Sequence, residues 1–140
     1  MSIVVDASVL VALTSDAGPI GRWAEALLAR ERLLAPDLAM VEATNILRRL
    51  ELAGQLETEQ ASAAADDLFQ LDIELLPFSP FAERIWALRC NITSYDAWYV
   101  AIAEQLGVQL ATLDHKLANS PAPRCHFLLP AKDIKRTLSR

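Results

Sequence analysis

The sequence predicts an α/β fold in which a five-stranded, mostly parallel sheet is flanked by helices in three layers. Short runs of β-branched and other apolar residues alternate with longer segments of helical periodicity, and strands separated by helices are typical of parallel sheets. The first run, Ile3-Val4-Val5, lacks the polar alternation of a half-exposed strand. Such a run is typical of a strand buried on both faces, so we expect it at the centre of the sheet.

The remaining elements follow from periodicity and from the prolines and glycines that mark many of their ends. The strands are expected at residues 3–5, 32–35, 73–76, 108–112 and 124–129, and the helices at 8–13, 19–30, 38–53, 59–69, 81–89 and from Thr93 or Ser94 to 106. Asp37 is expected to cap the third helix, and Thr93 or Ser94 the sixth. Trp86 is interpreted as a packing residue. The basic C-terminal tail is expected to be either a short final helix or frayed.

Length and composition favour a single domain over residues 1–140, with 53% hydrophobic residues to form its core. No apolar run approaches the ~20 residues of a membrane span, and no basic stretch precedes an apolar one as in a signal peptide. A cytoplasmic protein without membrane contact is therefore expected. Cys90 and Cys125 fit neither a disulfide scaffold nor a zinc spacing. The net charge of −5 argues against a broad basic nucleic-acid surface, although bound metal ions can reverse the sign of a local site.

Four acids recur at comparable places in the predicted fold. Asp6 ends the first strand, Glu42 lies early in a helix among apolar residues, Asp96 lies in the first turn of a helix, and Asp114 follows the fourth strand. Taken singly, three of them have an ordinary interpretation. Asp6 would cap the next helix, Glu42 would pair with Arg48 or Arg49, and Asp96 would favour the helix dipole.

Taken together, the four acids indicate a metal site. In a parallel sheet, strand ends and the following helix starts lie on one edge, so these side chains can converge. Neighbouring carboxylates raise one another's pKa unless a cation is present, and an all-oxygen set without Cys or paired His selects Mg²⁺ or Mn²⁺. Such ions promote phosphodiester hydrolysis. The polar residues near these acids are expected to support the site or to contact a phosphate; they are Ser8, Asn45 and Thr112.

The ordered set of motifs resembles a known family. The matching pieces are VVDAS at 4–8, AP at 35–36 with EATNILR at 42–48, YDAWYVAIA at 95–103, and LATLD at 110–114. With Gly107 and the final strand, they cover nearly the whole chain and resemble the PIN-domain ribonucleases, in particular the VapC-type toxins of bacterial toxin–antitoxin pairs.

The resemblance implies a PIN-like fold and an endoribonuclease that hydrolyses RNA with Mg²⁺ or Mn²⁺. It carries catalytic and metal-binding roles onto Asp6, Glu42, Asp96 and Asp114. It also implies a homodimer, and a cognate antitoxin whose chain covers the active site.

The chain departs from some members of this family after its last aspartate. Where those members have a further acid, this chain has Lys116 and Asn119, which would weaken a second metal site. RNA contact would fall to local groups, for which Arg48, Arg49, His115 and Lys116 are candidates. These residues could equally form surface ion pairs.

Three other function classes compete with this interpretation. A non-catalytic protein-interaction domain would use the acids as caps and surface pairs. A phosphate-signalling receiver domain needs adjacent acids after the first strand and an aspartate after the third, whereas Ala7 follows Asp6 and Pro77 follows the third strand. A haloacid-type phosphatase needs acids two residues apart after the first strand, where this chain has Ser8.

Overall fold

The computed structural model describes residues 1–131, so the basic tail from Lys132 onward lies outside the described residues. The strands are β1 (Ser2–Val5), β2 (Arg32–Pro36), β3 (Ile73–Leu76), β4 (Gln109–Ala111) and β5 (Phe127–Leu128). The helices are α1 (Ala7–Ser15), α2 (Pro19–Leu28), α3 (Ala39–Leu52), α4 (Thr58–Phe69), α5 (Ala82–Ala87), α6 (Ser94–Leu106) and α7 (His115–Ala118), with a 3₁₀ turn over Ser79–Phe81 before α5. The predicted α/β fold is confirmed.

The five strands form one sheet in the order β3-β2-β1-β4-β5, and each recorded pairing is parallel. Ile3 lies opposite both Leu33 of β2 and Gln109 of β4, so β1 is the central strand as predicted. The chain builds outward from β1 to β3 and then crosses to β4 on the other side. The order therefore reverses between β1 and β4, where open α/β sheets bind their ligands at the carboxyl ends of the strands.

The core lies on both faces of β1. Ile3, Val4 and Val5 are each at most 3% exposed, and successive side chains of a strand point to opposite faces, so both faces are covered. Helix α6 contacts β1, β2 and β4, and α1 packs against α2, α3 and α4. The middle of helix α6, residues 97–103, is buried almost all round, which explains why this part of its sequence is so uniformly apolar.

Two local expectations differ from the structure. Asp37 does not cap α3, because its backbone N–H donates to the Leu76 carbonyl at 3.0 Å and continues the pairing with β3. The helix then begins at Ala39, with Leu38 at the cap position. After Asp114, where the sequence predicts neither a helix nor a strand, the structure has the short helix α7. By contrast, Thr93 caps α6 as predicted, and its side chain accepts the Asp96 N–H.

Candidate active site

Asp6 lies where β1 ends, at the point where the strand order reverses. Its backbone N–H donates to the Ala111 carbonyl of β4 at 2.9 Å. Asp6 occupies the N-cap position of α1, but its side chain makes no capping hydrogen bond. Instead, Oδ2 accepts from Thr112 Oγ1 at 2.7 Å and from Ser8 Oγ at 3.2 Å. Helix capping therefore does not account for this carboxylate.

The two hydroxyl groups that hold Asp6 also tie it to the end of β4. Thr112 is fully buried, and its Oγ1 accepts the Asp114 N–H at 3.0 Å while donating to Asp6. Ser8 Oγ accepts the Leu113 N–H at 3.3 Å. Both hydroxyl groups thus hold the same oxygen of Asp6, Oδ2, in place relative to the segment that leads to Asp114. Burial raises the pKa of Asp6, although both hydrogen bonds favour its ionised form.

Glu42 is held by a tyrosine from a different helix. Its Oε1 accepts a hydrogen bond at 2.8 Å from the hydroxyl of Tyr99, an α6 side chain that is 1% exposed. Burial raises the pKa of Glu42, and the charges of Asp6 and Asp96 raise it further, against the Tyr99 hydrogen bond. Burial and the Glu42 charge also raise the pKa of Tyr99, so its hydroxyl remains a donor at neutral pH.

Tyr99 is not among the site residues that the sequence predicts. A signal was present, because a buried tyrosine needs a partner for its hydroxyl. The alternative interpretation of Glu42, a pair with Arg48 or Arg49, does not occur in the described range 1–131.

Asn45 is the one predicted supporting residue that, among the described residues, has no recorded hydrogen bond to the four acids. It is exposed on α3, and its Oδ1 accepts from Arg48 Nη1 at 3.5 Å. Within residues 1–131 it makes no hydrogen bond to any of the four acids. Its predicted role at the site stays a prediction, without a contact that supports it.

Asp96, in the first turn of α6, and Asp114, after β4, are the other two predicted acids. Together with Asp6 and Glu42 they form the acidic edge of the sheet. Burial raises the pKa of Asp96 to about 6, and the charges of Asp6 and Asp114 add to the shift. Asp114 is exposed, and its Oδ1 accepts the backbone N–H groups of Lys116 at 2.9 Å and Leu117 at 3.1 Å. Asp114 is therefore the N-cap of α7, and these two hydrogen bonds stabilise the first turn of this short helix.

The electrostatic coupling links all four acids. In addition to burial, the charge of Asp114 raises the pKa of Asp6, and the charges of Asp6 and Asp96 raise the pKa of Glu42. The charges of Asp6 and Asp114 likewise add to burial in raising the pKa of Asp96. The ion pairs recorded in the described part of the chain include none of these carboxylates. No protein cation within that part is therefore paired with any of the four acids.

The donor chemistry fits a divalent cation, but the arrangement is open. The four acids offer only oxygen donors, which hard ions such as Mg²⁺ and Mn²⁺ prefer. In residues 1–131, however, no three His, Cys, Asp or Glu side chains form a group arranged to hold one ion. The residues therefore fit a metal by type, charge and location, and not as a closed cage of protein ligands.

The raised pKa of Asp96 predicts how stability depends on pH without metal. Because this carboxyl has a pKa of about 6 when folded and an ordinary value of 3.8, the folded state binds more protons than the unfolded state between these values. The free energy of unfolding should then fall as pH rises from about 4 to about 6. In thermal melts with EDTA, Asp96→Asn should flatten this part of the dependence. Parallel curves for the two proteins would contradict the shift.

Comparisons with known proteins identify the family of this chain. A family model described as PIN domain matches residues 3–122. Ribonuclease VapC1 of Mycobacterium tuberculosis is 39% identical over 127 residues, which cover 90% of this chain and 96% of that protein. Ribonuclease VapC9 of the same organism is 37% identical over 123 residues, covering 88% and 94%. The crystal structure of PAE2754 from Pyrobaculum aerophilum is 24% identical, with a TM-score of 0.70, and covers 100% of this chain and 91% of that chain. The chain therefore belongs to the PIN domain family, in its VapC group.

Proposed function

We propose that this chain is a divalent-metal-dependent endoribonuclease that hydrolyses RNA phosphodiester bonds, and the toxin component of a toxin–antitoxin pair. The observation that carries the proposal is the set of electrostatically coupled carboxylates at the reversal point of the sheet, unbalanced by any recorded ion pair in the described residues. A site of this kind is suited to a bound cation. Membership of the VapC group supports RNA as the substrate.

The residues that would hold the ion are Asp6, Glu42, Asp96 and Asp114. Mg²⁺ usually keeps several waters and binds proteins through one or two carboxylates, so an open arrangement suits it better than a closed protein cage. When bound, Mg²⁺ or Mn²⁺ would polarise the scissile phosphate and lower the pKa of a coordinated water.

The surrounding side chains hold two of the carboxylates in place and favour their ionised form. Thr112 and Ser8 donate to Asp6, which fixes one oxygen of its carboxylate and leaves the other without these donors. Tyr99 does the same for Glu42 through Oε1. Such supporting partners matter, because their loss typically costs about 10–100-fold in metal affinity or activity.

Partners and location belong to the same proposal. A VapC-type toxin is expected to act as a homodimer in the cytoplasm and to be inhibited by a cognate antitoxin that covers the active site. No helix within residues 1–131 is long and apolar enough to cross a membrane. Arg48, Arg49 and Lys116 are exposed and His115 is partly exposed, so all four stay candidates for RNA contact.

Cleavage of total cellular RNA tests the function directly. Purified protein is incubated with Mg²⁺, with Mn²⁺ and with EDTA, and the products are resolved and mapped. We expect discrete fragments that require metal, because the acidic edge should be active only when a cation balances it. Cleavage that persists in EDTA would contradict metal dependence.

A metal titration of the melting temperature provides the control for an inactive result. A ligand that binds the folded state raises the melting temperature with concentration. Folded protein that neither cleaves RNA nor is stabilised by Mg²⁺ or Mn²⁺ would favour the alternative, a non-catalytic protein-interaction domain.

A further inference from the structure

The sequence predicts that Trp86 is a packing residue, but in the structure this side chain is exposed. Trp86 of α5 is 66% exposed, so that interpretation is wrong. The guanidinium carbon of Arg89 lies 4.4 Å from the centre of the indole ring, and its Nη1 donates to the Trp86 carbonyl at 2.9 Å. Arg89 therefore covers one face of the indole in a cation–π contact, and the two side chains form one ordered platform.

This platform borders a cleft that leads to the proposed metal site. Arg89, Asp96, Asp114 and Lys116 all line one cleft of about 470 Å³. That volume lies within the usual range for small-molecule sites, roughly 300–1,000 Å³. Arg89 both lines the cleft and contacts the indole, so Trp86 lies directly against a residue of the cleft wall.

The charges of the cleft are arranged for a polyanion bound next to a metal. Asp96 and Asp114 would face the ion, while Arg89 and Lys116 are cations in the same cleft. The ion pairs recorded among residues 1–131 include neither of these two side chains. Their charges are therefore open to phosphate groups of a ligand.

We propose that this cleft binds the nucleotide next to the cleaved phosphodiester, with an unpaired base stacked on the Trp86–Arg89 platform and its phosphate beside Arg89 and Lys116. The inference rests on the proposed endoribonuclease function and adds to it two residues of this chain, Trp86 and Arg89, that would position the substrate. A base can offer its face to a side chain only when it has left the duplex stack.

The cleft favours RNA over a protein as occupant of this platform. Tryptophan and arginine are also enriched in protein interfaces. An interface, however, gives no reason for the platform to border the cleft that holds two of the four acids and a second free cation. A protein contact is therefore treated as an outcome of the test.

Steady-state cleavage tests the inference with a short RNA that carries a cut site mapped from total RNA. Trp86→Ala and Arg89→Gln should raise KM about 5–100-fold for the single strand, because base stacking on one aromatic side chain contributes about that much. The value of kcat should change little. The same RNA annealed to its complement should be cleaved poorly by wild type, and the difference between wild type and the variants should largely vanish.

Two matched variants control for exposure and charge. Phe69→Ala removes an aromatic side chain that is 62% exposed on α4, and Arg30→Gln removes an exposed arginine. Among the described residues, neither of these two lines the cleft or has a recorded ring or cation–π contact with a residue that does, so both variants should keep the wild-type KM. Melting temperature and oligomeric mass are measured for every variant. A Trp86→Ala protein that keeps the wild-type KM overturns the inference, as does one whose KM change comes with a loss of oligomeric mass.

Direct binding separates this inference from the proposed function. Anisotropy of a labelled single-stranded RNA is measured at low salt in EDTA, where no cleavage is expected. Weaker binding by Trp86→Ala than by Phe69→Ala supports the platform even if wild type proves inactive. Equal binding by these two variants, or no binding by wild type, overturns it.

Discussion

Asp6→Asn is expected to lower metal-dependent RNA cleavage by at least about 100-fold, because even groups that only support metal ligands typically contribute about 10–100-fold. The amide has nearly the shape of the carboxylate, and its oxygen can still accept from Thr112 and Ser8. Only the charge of the side chain is lost. Because burial and Asp114 both disfavour the ionised form of Asp6, the metal-free variant should melt at or above the wild-type temperature.

Rates at several Mg²⁺ and Mn²⁺ concentrations, together with melts in EDTA, check both parts of this prediction. Asp72→Asn is the matched control, since Asp72 is exposed at the opposite edge of the sheet, just before β3. The control should cleave like wild type. An active Asp6→Asn protein with unchanged metal dependence would remove Asp6 from the proposed site, and a poorly folded one would show that its charge stabilises the fold.

Gly21→Ala is expected to produce the largest loss of stability from a single added methyl group. Gly21 is buried in α2, and a Cβ there would overlap the backbone carbonyl of Asp16 and approach the Ala12 carbonyl at 3.1 Å. Neither backbone atom can rotate away as a side chain would. Overpacking typically costs about 1–3 kcal/mol and occasionally more, so the melting temperature should fall by roughly 5–10 °C.

Gly54→Ala controls for the loss of a glycine as such. Gly54 has a φ of 77° and nothing within 4 Å of an added Cβ, so only backbone strain of about 1–2 kcal/mol is expected. Denaturant melts of both variants at equal protein concentration provide the comparison. If Gly21→Ala were no less stable than Gly54→Ala, α1 and α2 would not approach as closely as the structure shows.

The sequence by itself determined the order of strands and helices, the centre of the sheet, and the family. These features are encoded by residues near one another along the chain. The run Ile3-Val4-Val5 reports a strand covered on both faces, because only such a strand can lack polar alternation. Asp6, directly after this run, falls at a strand end for the same local reason, and parallel strands bring such ends to one edge.

The tertiary structure alone decided how each acid is held. Thr112 donates to Asp6 across 106 residues of sequence, and Tyr99 donates to Glu42 across 57. No local pattern encodes such pairs, because the first depends on the pairing of β1 with β4 and the second on how α3 and α6 lie relative to each other. The same reason applies to Gly21, which is buried against the Asp16 carbonyl, and to Trp86, which is exposed and packs against Arg89 instead of in the core. Periodicity predicts which face of an element is apolar, whereas long-range packing determines what each side chain finally contacts.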